Sequence, residues 1–224
     1  MALSNLCKVV KLSPNCSKPR NHSIDRLTYH HMAGVLSAQS CVDWFAQTRA
    51  QSSANYCIGY DGTIAGCVDE DNRPWTTSSR ENDNRAITFE LSNSAAGKNW
   101  PVSDATIEAA IRLTVDICKR HGKTRVLWFA DEERSLAYQP KAHELVVTVH
   151  HWFANTDCPG PYLESKLPYI VETVNAKLAV DDRKWYEKSG EWALAQKLGI
   201  TDGTRPDDPA TRAEVAAMIV RALG

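Results

Sequence analysis

The sequence lacks three features that would each indicate a specialised class of protein. No apolar run approaches the roughly 20 residues that a membrane-spanning helix needs. Lys and Arg (26 residues) balance Asp and Glu (27 residues), so a basic surface for nucleic acid or an anionic membrane is not expected. The first residues hold no continuous apolar segment typical of a secretory signal, which predicts a chain made in a cytoplasm.

Closely spaced cysteine pairs are also missing. The seven cysteines are an odd number, and they include no Cys-x-x-Cys motif. In a reducing compartment a chain of 224 residues does not depend on disulfides, so most of these thiols are predicted to be small buried side chains. Hydrophobic residues make up 43% of the chain and charged residues 24%, as is typical of a folded protein rather than a disordered one.

The pattern of apolar residues predicts several separate strands. β-branched and aromatic residues at 27–32 and strict alternation at 86–91 indicate two of them. Asp61-Gly62 lies between two apolar runs and predicts a hairpin with a type I′ turn, which needs a positive φ at both central residues. Residues 145–150 fit either a short strand or a turn that leads into a loop.

Helical patterns lie between and after these strands. Ser103 is a suitable N-cap and Gly122 a suitable residue just beyond the end of one long helix. Because Pro168 would interrupt a helix, we expect a short turn at 161–166 and a separate helix at 168–178. Helices interleaved with strands and a hairpin predict an α/β domain, in which helices flank a mixed central β-sheet.

The composition changes near residue 180, which predicts two domains, 1–179 and 180–224. The second is expected to be a small α-helical module with two short helices. One of them begins with Thr211 and Glu214, a capping box in which each side chain satisfies the other residue's free amide. A module with so few large apolar side chains has only marginal stability on its own. It is therefore expected to dock on another surface.

Two His-His pairs and one cysteine stand out chemically, namely His30-His31, His150-His151 and Cys158. Imidazole and thiolate are zinc ligands, and a catalytic zinc site has three protein ligands and one open position. Neighbours on a strand point to opposite faces, so each pair would offer only one histidine to a shared ion. The residue pattern alone does not indicate which histidine of each pair would bind the ion. Two unrelated histidine pairs and a buried thiol are the alternative interpretation.

The sequence around these residues resembles the zinc-dependent N-acetylmuramoyl-L-alanine amidases of the type-2 family, which includes phage endolysins and is related to the peptidoglycan recognition proteins. Residues 150–163 are similar to the family's second metal-binding segment, a histidine followed by seven residues and Cys-Pro. Segments 27–33, 53–63 and 87–91 are similar to three others, in the family's order. The resemblance covers roughly residues 24–178.

The resemblance implies roles for six residues. The implied Zn²⁺ ligands are His30, His150 and Cys158, whose ion would acidify a water molecule and polarise a carbonyl. Glu90 is the implied general base. Tyr56 is the candidate donor to the negative charge that develops on the amide oxygen, with the Thr156 hydroxyl in support. The last three residues also have simpler interpretations: Glu90 as an exposed strand carboxylate, Tyr56 as a core tyrosine and Thr156 as a loop-capping threonine.

The implied reaction is hydrolysis of the amide between the lactyl group of N-acetylmuramic acid and L-alanine in bacterial peptidoglycan. The expected setting is a phage or prophage endolysin that acts on the cell wall after release. A cytoplasmic amidase that trims recycled muropeptides is one alternative. A non-catalytic peptidoglycan-binding protein is another, although such relatives usually lose the cysteine that this chain keeps at position 158.

Residues 185–223 resemble a single S-layer-homology repeat, a module that attaches proteins to wall polymers. The resemblance implies that the 180–224 module binds wall glycan, pairs with another chain or braces the catalytic domain. Neither nucleic acid nor a membrane is an expected partner, and the sequence leaves the oligomeric state open.

Overall fold

A computed structural model describes residues 3–97, 99–179, 191–204 and 209–223. The chain divides into two compact units, Met1–Ala179 and Val180–Gly224. Within the described residues, no helix combines the length and the apolar character needed to cross a membrane.

The first unit contains short strands and five α-helices among its described residues. The strands are β1 (Val9–Val10), β2 (Cys16–Ser17), β3 (Arg26–His31), β4 (Tyr56–Ile58), β5 (Ile64–Gly66), β6 (Arg73–Pro74), β7 (Ala86–Leu91), β8 (Arg125–Leu127) and β9 (Glu144–Val149). The helices are α1 (Ala38–Phe45), α2 (Arg80–Arg85), α3 (Asp104–Arg120), α4 (Glu132–Ala137) and α5 (Pro161–Ala179). Single 3₁₀ turns lie at Thr48–Ala50 and His150–Trp152.

Seven strands form one mixed sheet in the order β1-β5-β4-β7-β3-β9-β8. The antiparallel pair is β4 with β5, and the other neighbours run parallel. β2 and β6 form a separate two-stranded antiparallel sheet. The predicted fold class, a mixed central sheet flanked by helices, is confirmed.

The sheet separates two layers of buried side chains, one on each face. Leu27 and Tyr29 join the core that α3 and α5 cover on one face of the sheet. Cys57 and Ala65 belong to the layer packed against α1 on the other face. Because β3 lies between β7 and β9 inside the sheet, all six of its residues are buried, including the polar ones. Its polar residues therefore face a protein interior rather than solvent.

The predicted hairpin is confirmed, but its predicted turn type is wrong. β4 and β5 pair in antiparallel fashion, and the loop closes where the Gly59 amide donates to the Thr63 carbonyl at 2.9 Å. A type I′ turn would need a positive φ at both Asp61 and Gly62, but only Gly62 has one, of 79°. The Asp61 carboxylate instead accepts the Thr63 amide at 3.0 Å, and this local bond stabilises a longer loop.

The predicted break at Pro168 is also wrong, because α5 continues through it from Pro161 to Ala179. An interior proline costs a helix about 3 kcal/mol. The helix buries five apolar side chains, Leu163, Leu167, Ile170, Val171 and Val174. Each is worth roughly 1.5–3 kcal/mol when buried, so packing exceeds the cost of the proline several-fold. The predicted cap of α3 is confirmed, since Ser103 accepts the Thr106 amide.

The described part of the second unit contains two helices, α6 (Glu191–Lys197) and α7 (Arg212–Leu223). The predicted capping box is confirmed: the Thr211 amide donates to the Glu214 carboxylate at 2.8 Å, and the Glu214 amide donates to the Thr211 hydroxyl at 3.2 Å. Trp185, where the S-layer-like segment begins, lies outside the described residues.

Candidate metal centre

The carboxyl ends of three parallel strands bring the site together at one edge of the sheet. His30 lies near the end of β3, and Glu90 is its register partner on β7. β9 pairs with β3 on the other side up to Tyr29 and Val149, so His150 follows directly beside His30. Side chains from distant parts of the chain therefore meet because parallel strands end at the same edge.

The three implied ligands form a compact group. One ligand atom from each of His30, His150 and Cys158 lies within 4.8 Å of the others, and within the described residues no other group of three His, Cys, Asp or Glu side chains comes as close. His30 Nδ1 is 3.4 Å from Cys158 Sγ. Nitrogen and sulfur ligands of one tetrahedral zinc lie roughly 3.3–3.6 Å apart, so this separation is that of neighbouring ligands.

The protonation chemistry of this group also fits a bound cation. Nε2 of His30 and Nε2 of His150 are buried and have no hydrogen-bond partner. Burial, followed by the neighbouring histidines, lowers the pKa of His30 well below its ordinary value, and burial likewise lowers the pKa of His150. Both imidazoles are therefore neutral near pH 7, which is the form that binds zinc. Three donors leave one tetrahedral position open.

The second histidine of each pair points away from this group. His31 Nδ1 accepts the Ala33 amide at 3.0 Å and lies 3.2 Å from Asn93 Oδ1. His151 Nε2 lies 3.0 Å from the Glu164 carboxylate. On β3 the separation follows from strand alternation. His150 and His151 lie in a 3₁₀ turn just after β9, and that turn also directs the two rings apart.

Glu90 lies beside the ligand group on the same face of the sheet. Its Oε2 is buried and has no hydrogen-bond partner, and burial, followed by the electrostatic influence of the neighbouring Cys67, raises the pKa of Glu90 to about 8. β7 lies between β3 and β4, so Glu90 has His30 as its register partner on one side and Cys57 as its register partner on the other. A carboxyl group next to the candidate ligands is thus kept ready to hold or release a proton near neutral pH.

Tyr56 does not join the site, so the structure contradicts the donor role that the resemblance implies. It is the register partner of Phe89, one residue before Glu90, and strand alternation therefore directs it to the opposite face. There its ring lies 6.1 Å from that of Phe89. Its hydroxyl donates to Glu70 and accepts the Ser4 amide at 2.9 Å. The simpler interpretation, a core tyrosine, is correct.

Thr156 lies in the loop that carries Cys158. Its hydroxyl accepts the Cys158 amide at 3.2 Å, which is the geometry of a loop-capping threonine. The hydroxyl therefore helps to shape the backbone around the candidate ligand, and its supporting role in catalysis stays a prediction.

Sequence reasoning missed a second buried charged cluster on the far side of the sheet. The Glu70 carboxylate is fully buried and accepts two hydrogen bonds from Arg120, at 2.7 and 2.8 Å, and one from Tyr56. His121 Nε2 lies 2.6 Å from the same carboxylate. Burial alone would raise the pKa of Glu70, but these partners lower it to about 2. The partners lie up to 51 residues apart in sequence, so no local pattern indicates the cluster.

Comparison with known proteins identifies the region that holds these residues. The sequence profile of the Amidase_2 family, described as N-acetylmuramoyl-L-alanine amidase, matches residues 20–161. That range contains all three members of the candidate ligand group and Glu90. It covers well over half of the chain.

Solved structures share the fold at low sequence identity. The PlyG catalytic domain is 13% identical, with a TM-score of 0.54 over 79% of this chain and 98% of that one. The catalytic domain of XlyA is 12% identical, with a TM-score of 0.53 over 74% and 97%. A mutant endolysin from Bacillus subtilis is 13% identical, with a TM-score of 0.54 over 74% and 97%. No curated protein shows significant sequence similarity to this chain.

Proposed function

This chain belongs to the N-acetylmuramoyl-L-alanine amidase family, and we propose that it hydrolyses the amide between the lactyl group of N-acetylmuramic acid and L-alanine in bacterial peptidoglycan. The observation that carries the proposal is the convergence of His30, His150 and Cys158 within the region that the family profile matches. Those side chains are up to 128 residues apart in sequence, yet one ligand atom from each lies within 4.8 Å of the others.

The proposed cofactor is a zinc ion held by His30, His150 and Cys158. When bound, it would supply Lewis-acid polarisation of the amide carbonyl and acidify water at the open position. The two buried imidazoles would bind as neutral ligands, His30 through Nδ1, the nitrogen that lies 3.4 Å from Cys158 Sγ. The Cys158 thiol has a pKa raised by burial and by Glu90, so metal binding has to displace its proton.

Glu90 is the proposed general base. It lies on the strand next to His30, on the same face, and its free oxygen is not engaged by another side chain. From that position it takes a proton from the attacking water and passes it to the departing L-alanine amine. His31 and His151 do not take part in proton transfer, because each is directed to a partner outside the group.

The biological setting that we propose is a phage or prophage endolysin. The proposal is supported by the fold shared with structures described as endolysin and as catalytic domains. In the second unit a groove of about 420 Å³ is lined by aromatic, acidic and basic side chains, among them Trp192, Asp202, Glu214 and Arg221. We propose that this groove binds wall glycan, in keeping with the S-layer-homology resemblance.

The test is to incubate purified protein with peptidoglycan and to identify the products by mass spectrometry, with elemental analysis of the same preparation. We expect released stem peptides with free L-alanine amino termini, and about one zinc per chain. Products cut at another bond would refute the proposed reaction. Comparing intact sacculi with soluble muropeptides then separates an endolysin, which degrades both, from a recycling amidase, which cleaves only the soluble fragments.

A further inference from the structure

The loop that carries Cys158 is short and lies between the 3₁₀ turn at His150–Trp152 and the start of α5. Two backbone bonds hold it: the His151 amide donates to the Cys158 carbonyl at 3.0 Å, and the Gly160 amide donates to the Asp157 carbonyl at 2.6 Å. These bonds are local to the loop and its adjoining turn. They do not by themselves fix the distance from Cys158 to His30, which belongs to a different segment.

Trp100, which precedes α3 in the chain, contacts this loop. Its indole Nε1 donates to Asp157 Oδ2 at 2.9 Å, one residue before the candidate cysteine ligand. Its side chain also lies against Gly160, where an added Cβ would be 3.0 Å from Trp100 Cβ and 3.2 Å from Cδ1. Glycine at position 160, with a φ of 80°, therefore permits the close approach of the indole.

The same tryptophan contacts the segment that carries His30. The Trp100 ring lies 4.9 Å from the ring of His31, the direct neighbour of His30 on β3. The Trp100 carbonyl accepts the Asn93 side-chain amide at 3.0 Å, and Asn93 Oδ1 in turn accepts the Gly34 amide just beyond β3. Trp100 thus contacts both ligand-bearing segments at once.

Trp100 adopts a backbone conformation that tryptophan rarely occupies, with a φ of 44°. Such a conformation persists only where surrounding contacts over-determine it, and it is concentrated at functional sites. Here those contacts are the indole bond to Asp157, the packing on Gly160 and the bond to Asn93. The conformation aims the indole at the loop of the candidate ligand.

We propose that Trp100 is a positioning residue, which holds the Cys158 loop at the correct distance from His30 through its indole bond to Asp157. This inference rests on the proposed function, since it requires Cys158 to be a metal ligand. Trp100 itself contributes no ligand and does not touch the reacting atoms. Groups that hydrogen-bond metal ligands directly typically change metal affinity 10–100-fold when removed, so we expect the lower end of that range for a bond to the neighbouring residue.

The experiment measures Zn²⁺ affinity of the full chain by competition with a chromophoric chelator, together with the thiolate-to-metal absorption of the Co²⁺-substituted protein. The variants are Trp100→Phe, which keeps the ring but loses the donor, and Asp157→Ala, which loses the acceptor. Asp157→Asn keeps an acceptor oxygen. Trp75→Phe is a matched control, because it removes the indole bond from Trp75 to Ser17 at a position remote from the site.

We expect Trp100→Phe and Asp157→Ala each to weaken Zn²⁺ binding about tenfold and to alter the Co²⁺–thiolate absorption. Asp157→Asn and Trp75→Phe should bind like the parent protein. The Asp157 side chain is 70% exposed, so its variants will fold even if Trp100→Phe does not.

Unchanged affinity and an unchanged spectrum in Asp157→Ala would overturn the positioning role, as would an equal loss in Asp157→Asn. Failure of the proposed function gives a different result. In that case the parent protein itself does not bind Zn²⁺, or it binds Zn²⁺ equally well after Cys158→Ser.

Discussion

Replacing Tyr56 by phenylalanine tests whether this side chain serves stability or catalysis. The substitution keeps the ring that packs on Phe89 and removes only the hydroxyl, which donates to the buried Glu70 carboxylate and accepts the Ser4 amide. A hydrogen bond to a charged group contributes about 1.5–3 kcal/mol, so we expect the free energy of unfolding to fall by about 2 kcal/mol. For a chain of this size that corresponds to a decrease in Tm of roughly 4–8 °C.

The same reasoning predicts that the catalytic rate of Tyr56→Phe at 25 °C is unchanged, because the hydroxyl lies on the face opposite to His30. Loss of a donor to the developing oxyanion would instead lower kcat about 10²–10³-fold. Urea denaturation followed by circular dichroism gives the stability, and release of stem peptides from peptidoglycan gives the rate. A fall in kcat of that size with unaltered stability would refute the assignment.

Tyr29→Phe is the matched control for this experiment. Tyr29 is also fully buried on the same face of the sheet, but its hydroxyl bonds a neutral partner, the Thr114 hydroxyl, at 2.7 Å. A neutral bond of this kind contributes about 1 kcal/mol, so Tyr29→Phe should destabilise the protein less than Tyr56→Phe. The order of the two losses therefore reports the charge on Glu70.

Three further predictions concern the metal, the charged cluster and the second unit. Cys158→Ser should abolish zinc binding and loss of wall turbidity while far-UV circular dichroism is unaltered; full activity would argue against the ligand assignment. Because the folded-state pKa of Glu70 lies near 2, below its ordinary value of 4.5, its stabilisation of up to about 3 kcal/mol is present above pH 4.5 and is lost as the pH falls toward 2. Acid titration of the unfolding free energy should show this loss, and Glu70→Gln should remove that part of the pH dependence. Deleting residues 180–224 should weaken sedimentation with cell walls more than hydrolysis of a soluble muramyl peptide; an equal loss of both would indicate a structural role for the second unit.

Local patterns in the sequence were sufficient for the elements that surround the site. Alternation identifies β7, and Ser103 marks the start of α3, because strand pleating and helix capping depend on residues close together in the chain. The resemblance of residues 150–163 to a metal-binding segment of the family also depends only on residues close together in the chain. The fold class follows from the order of such elements along the chain.

Tertiary structure decided which side chains meet. The face that Tyr56 occupies depends on its register with Phe89 on another strand, and a shift of one residue would direct it to the other face. α5 continues through Pro168 because the sheet and α3 provide apolar surface for it to bury, which no helix signal within residues 161–179 reveals. The bond from Trp100 to Asp157 joins residues 57 positions apart. Local propensity acts over a few residues, whereas register and packing are set by the whole fold.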